Sequence, residues 1–139
     1  MAIFDAKLLF SEDQDIGQVA GSYDSTNVVL LGDVREIGIG EPLTVSFTIT
    51  EAVTTGSTSE VDFKVVTDDN AALTSALILA STGPVDSGQL TLGKKFTLTI
   101  PRPAANDVEA YLGVIYTIST ATTTAGTVTA GIVFDADSN

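Results

Sequence analysis

The chain has 139 residues and a formal charge of −12, from 18 acidic against 6 basic side chains, with no His, Cys or Trp. The absence of Cys excludes disulfides and thiolate metal sites, and the absence of His excludes Ser-His-Asp and Cys-His catalysis. Six scattered cations cannot neutralise a track of phosphates, and an anionic membrane would repel the chain. Direct nucleic-acid and membrane partners are therefore not expected.

The length suits one domain, 1–139, with an apolar fraction of 44% to supply its core. The start Met1-Ala2-Ile3-Phe4-Asp5 has no basic region followed by a long apolar run, so no secretion signal is expected.

Turn-forming residues divide the chain into eight predicted strands, at about 3–10, 26–31, 42–50, 59–67, 76–80, 94–100, 110–118 and 127–134. Residues 11–24 are polar and contain Gly, and read as a long loop or extended arm. Gly38-Ile39-Gly40-Glu41-Pro42 leads into the third strand, and Gly83-Pro84 ends the fifth. Pro101-Arg102-Pro103 stops the sixth, and 120–126 forms a small-residue loop. Single helical turns are conceivable at 68–75 and 107–109.

Strict alternation in 43–49, 61–65 and 96–100 puts one face of each strand in a core. The predicted core is Leu43, Val45, Phe47, Ile49, Val61, Phe63, Val65, Phe96, Leu98, Ile100, Leu112, Val114 and Tyr116. Val28-Val29-Leu30-Leu31 and Leu77-Ile78-Leu79 are apolar on both faces, which fits either a core or a subunit interface. Tyr111 and Ile115 fall on the opposite face from Tyr116. Regular strands with turns between them indicate a sandwich or a barrel.

Chemistry-bearing patterns are sparse. There is no Gly-x-Ser-x-Gly elbow and no Ser-x-x-Lys, and Gly38-Ile39-Gly40 lacks the third Gly and the helix of a phosphate loop. Calcium needs only oxygen ligands. Asp135-Ala136-Asp137-Ser138-Asn139, Asp68-Asp69-Asn70 and Glu12-Asp13-Gln14-Asp15 are oxygen-rich, but also read as an acidic tail and solvated turns. No cofactor is expected.

The order of features carries a resemblance. Ser25-Thr26-Asn27-Val28-Val29-Leu30-Leu31-Gly32 is followed by Arg35-Glu36-Ile37-Gly38-Ile39-Gly40-Glu41-Pro42-Leu43. Then come Val61 to Val65 ending in Thr67-Asp68-Asp69-Asn70, the Phe96 to Pro101 strand, Tyr111-Leu112-Gly113-Val114-Ile115-Tyr116, and Ala125 to Val133. This pattern resembles the small cement, or decoration, proteins of tailed-bacteriophage capsids. The resemblance implies an all-β, antiparallel two-sheet jelly-roll sandwich of about eight strands. It also implies a non-enzymatic role, with the major capsid protein of an HK97-type shell as partner. The place of action would be the outer capsid surface of the virion, reached from the host cytoplasm during assembly.

Shell symmetry suggests a homodimer, with a homotrimer as the alternative. Candidate capsid or subunit contacts are Ile3, Phe4, Glu12, Asp13, Asp15, Val28, Val29 and Tyr111, with Asp24 as a further acidic group. A carbohydrate-binding or adhesin-type β-sandwich module is the alternative from another class. It is disfavoured because such modules stack sugars on exposed aromatics, and this chain has three Tyr and no Trp.

Overall fold

The computed structural model describes residues 4–30, 43–100 and 111–133. Among these described residues nine strands run in chain order: β1 (Phe4–Asp15), β2 (Gly21–Asp24), β3 (Val29–Leu30), β4 (Leu43–Thr55), β5 (Glu60–Asp68), β6 (Leu77–Asp86), β7 (Lys95–Ile100), β8 (Tyr111–Ser119) and β9 (Thr123–Val133). A 3-10 turn at Ser87–Gln89 separates β6 from β7, and the Asp86 carboxylate caps it by accepting from the Gly88 N–H.

One sheet has the order β1-β9-β4-β7, and the other β2-β8-β5-β6, with β3 also on β8. Every pairing is antiparallel. The pairs nest: β5 with β6, β4 with β7, β2 and β3 with β8, and β1 with β9. Taking β2 and β3 as one interrupted strand gives two four-stranded sheets in jelly-roll order. The all-β, two-sheet architecture expected from the alternating pattern is thus observed.

Alternation also places the core. Val45, Phe47 and Ile49 of β4 face Val61, Phe63 and Val65 of β5, all fully buried. Phe63 is the central contact between the sheets. Its ring lies 5.5 Å from Phe47, 5.4 Å from Phe96 and 5.8 Å, edge-on, from Tyr116. Burying each such side chain contributes roughly 1.5–3 kcal/mol, and offset or edge-on ring contacts add to this. Ile100, Leu112, Val114 and Tyr116 are buried as predicted, while Phe96 and Leu98 pack against the core from a more open position. Phe10, Ile16, Val29, Val53, Leu90, Ile118, Val128, Ala130 and Ile132 complete the cluster.

Several boundaries differ from the sequence reading. The 11–24 stretch is not an arm. Its first residues continue β1 to Asp15 and its last form β2. The loop between them is fastened by Ile16 N–H donating to the Gly126 carbonyl at 2.9 Å and Thr123 N–H to the Gln18 carbonyl at 3.0 Å. β6 continues through Gly83-Pro84 to Asp86. A proline is tolerated there because β6 is an edge strand, where a missing N–H breaks no ladder.

β9 begins at Thr123, inside the predicted loop. Residues 69–76 contain turns and bends without a helix. Ile3, Leu31, Gly38 to Pro42, Pro101 to Pro103, 107–109 and Asp135 to Asn139 lie outside the described residues, as do the side chains of Phe4, Leu30 and Leu43.

Candidate interaction surfaces

Among the described residues each sheet has two edge strands, which gives the jelly roll two lateral sides. β1 and β2 border one side, and β6 and β7 border the other. The β1–β2 side carries the predicted acidic group. Glu12, Asp13 and Asp15 are exposed on β1, and Asp24 is exposed on β2. They project where they do because β1 is irregular. Its pairing with β9 shifts register three times, and Asp13 adopts a left-handed φ of 47°. Such bulges turn side chains outward at a sheet edge.

The backbone of this side is tightly held. The Asp13 N–H donates to Thr129 Oγ1 at 3.0 Å, and Asp15 Oδ1 accepts from the Gly17 N–H at 2.7 Å. Gln14 is the crosspiece: its Nε2 donates to the Asp24 carbonyl at 2.9 Å, and its Oε1 accepts from the Thr26 N–H at 2.9 Å. Asn27 Nδ2 donates to the Leu9 carbonyl at 2.8 Å, and its N–H to the Phe10 carbonyl at 2.9 Å. Partial burial holds the Asp24 carboxyl above its ordinary range. Leu9, Phe10, Ser11, Glu12, Thr26 and Asn27 line an open groove of about 210 Å³.

The other predicted contacts separate. Val29 is a correction. It pairs with Leu112 on β8 and packs into the core, with only 9% of its surface exposed. Val28 is half-buried and Tyr111 is half-buried at the start of β8. Tyr111 pairs with Asp68 and Leu30, away from the acidic side chains. Ile3 lies outside the described residues, and Phe4 is placed only by its backbone pairing with Val133.

Outside the five-stranded sheet, Leu73 covers β8. It is 5% exposed, and its Cδ1 lies 2.7 Å from where a Cβ on Gly113 would stand. A Cβ there would press on the end of Leu73 and on Val28, so glycine gives that side chain its room. Asp68 holds the turn that delivers it. One carboxylate oxygen accepts from the Ser75 N–H at 2.8 Å, and the other from the Asn70 N–H and Ser75 Oγ, each at 3.2 Å. The Ser75 N–H foremost holds the Asp68 carboxyl below its ordinary value. Hydrogen bonding to Asp68 and repulsion from it push Asp69 up. Asp68 and Asn70 thus act as turn formers. Among the described residues no three of His, Cys, Asp and Glu gather to hold a metal ion.

The outward hydroxyls bond mainly across strands. Thr50 meets Thr127 at 2.7 Å, Thr54 meets Thr124 at 3.0 Å, and Ser22 meets Thr117 at 3.1 Å. Lys64 Nζ donates to Thr117 Oγ1 at 3.2 Å and lies 3.8 Å from Asp62. Such bonds stiffen a sheet face.

The Bbp16 family model matches residues 10–132, from within β1 to the penultimate residue of β9. The chain belongs to the Bbp16 family. The family name is phage-related. No curated protein matches the chain. The matched span contains the whole nested strand order from Phe10 onward, with the acidic β1–β2 side and the Leu73 turn.

Proposed function

We propose that this chain is a capsid cement protein. In this reading it binds the outer surface of an HK97-type phage shell and stabilises contacts between major capsid subunits without catalysing a reaction. The observation that carries the proposal is the match of a phage-related family over almost the entire jelly roll. The resemblance of residues 25–43 and the later strands to decoration proteins supports the finer role. So does a sequence that lacks His and Cys.

Packaged DNA presses on a shell, and the shell fails where its subunits separate. A stiff domain spanning a subunit boundary adds contacts that must break first, and many copies multiply the effect. The acidic β1–β2 side is the proposed shell contact, since exposed carboxylates steer a protein onto basic surfaces. Its tight internal bonding means that docking orders little additional chain, which limits the entropy lost on binding. The protein would act as a homodimer, matched to a two-fold position of the shell.

Deleting the chain from its phage and challenging the particles with heat tests this role. Particles lacking the protein are expected to release DNA at a lower temperature, and added purified protein to restore the original value. Unchanged particle stability would overturn the cement role.

A further inference from the structure

The groove on the β1–β2 side has a chemistry of its own. Phe10 and Ser11 line it as buried residues, Leu9 is half-buried, and Glu12, Thr26 and Asn27 are exposed. At about 210 Å³ it is smaller than the roughly 300–1,000 Å³ of a small-molecule cleft, and it suits a single side chain. Strand addition is blocked here. Asn27 already occupies the carbonyls of Leu9 and Phe10, at 2.8 and 2.9 Å, and β1 shifts register between Leu9 and Ser11. A partner must therefore enter by a side chain and not by its backbone.

The hydrogen bonds of the lining select the kind of side chain. Thr26 gives its N–H to Gln14 Oε1 and its hydroxyl proton to the Phe10 carbonyl, at 2.9 and 3.2 Å. Ser11 donates to Gln14 and accepts from Tyr116. Asn27 gives its N–H and an amide proton to β1. With these donors committed, acceptors are in excess: the Glu12 carboxylate, Thr26 Oγ1 and Asn27 Oδ1. None of the six lining residues is basic, and Asp13, Asp15 and Asp24 lie on the same side of a chain of net charge −12. The complement is a cation with many donors on an apolar stem.

We propose that this groove is a socket for one arginine side chain of a partner protein, with the stem against Leu9 and Phe10 and the guanidinium at Glu12. Arginine fits better than lysine because its fork carries five donors and is more weakly hydrated than an ammonium. The socket is preformed. Gln14 ties its two sides together through the Asp24 carbonyl and the Thr26 N–H, so docking freezes little of this chain. The inference rests on the shell-contact reading for the source of the arginine, and it replaces a general attraction by a defined point of insertion.

Amide NMR of the whole chain tests the socket without the shell. Nα-acetyl-argininamide is expected to shift the Phe10, Thr26 and Asn27 amides saturably, with a millimolar dissociation constant. Nα-acetyl-lysinamide at equal ionic strength is expected to bind at least about 3-fold more weakly. Glu12→Gln is expected to weaken the arginine probe at least about 3-fold. Asp13→Asn removes the same charge outside the lining and is expected to leave the probe's affinity nearly unchanged. Asparagine suits the left-handed φ of 47° at that position. In co-sedimentation with particles that lack the protein, Glu12→Gln is likewise expected to lower affinity more than Asp13→Asn.

No saturable shift at these amides up to about 50 mM probe would overturn the proposal. So would equal binding of the two probes, or equal effects of the two substitutions in either assay. Wild-type protein that takes the arginine probe yet ignores the shells would refute the cement role and leave the socket standing.

Discussion

Tyr116 and Ser11 lie 105 residues apart, and the Tyr116 hydroxyl donates to Ser11 Oγ at 2.8 Å inside the core. Ser11 in turn donates to Gln14 Oε1 at 2.5 Å. The two ends of this bond are not equivalent. Tyr116→Phe leaves Ser11 with Gln14 and is expected to cost about 0.5–1.5 kcal/mol. Ser11→Ala strands a fully buried phenol and is expected to cost about 1–3 kcal/mol. Urea denaturation of the two variants checks that order. Burial pushes the Tyr116 phenol well above its usual range, and the bond to Ser11 offsets this only in part. Stability from this group is therefore full below about pH 10, the unfolded value, and falls as pH rises toward the folded one. Tyr116→Phe is expected to flatten that alkaline loss. Gly17 is a second sensitive position. A Cβ there would stand 2.7 Å from Ala125 Cα, which is backbone and cannot swing aside. Gly17→Ala is expected to destabilise by about 1–3 kcal/mol in the same assay. The inward direction of Tyr116 was legible from its alternation with Leu112, Val114 and Ile118. The role of Ser11 was not, because nothing local marks a serine whose partner lies on another sheet.

The same division holds for whole elements. β4, β5 and β7 were legible because each buries one face and exposes the other, and period-two patterning follows from that geometry. The second half of β1 and all of β2 were hidden, since edge strands with exposed polar side chains look like loops. β6 was cut short because Gly83-Pro84 signals a turn, and only its edge position permits the strand to continue. The turn after β5 was read as oxygen-rich, but its purpose, seating Leu73 over Gly113, depends on tertiary contact. Asp68 organises this turn by accepting N–H donors, which lowers its carboxyl pKa. A depressed carboxyl stabilises the fold above its unfolded pKa, and that contribution is lost as pH falls through the folded value. Asp68→Asn is expected to reduce the loss of stability on acidification and to speed hydrogen exchange at the Ser75 amide near neutral pH. Identical exchange in wild type and variant would remove Asp68 from this role.

At the scale of the molecule, charge is unevenly placed. Glu12, Asp13, Asp15 and Asp24 border the β1–β2 side, while the uncharged run from Asn70 to Val85 includes most of the β6 edge. If the acidic side meets the shell, affinity falls with added salt, because exposed charges are screened within about 8 Å at physiological ionic strength. Co-sedimentation of the protein with shells is expected to weaken as salt rises. Reversing Asp13 and Asp15 to Lys is expected to weaken binding and reduce its salt dependence. The fold was legible from alternation and turn spacing, and the candidate acidic residues from composition. Their gathering on one rigid side was not, because only the β1 bulges and the Gln14 crosspiece bring it about. A cryo-EM map of the intact phage particle tests the central claim most directly. The account predicts jelly-roll density on the outer face of the shell, spanning boundaries between capsid subunits. A complete shell map with no such density, in particles that contain the protein, would contradict it.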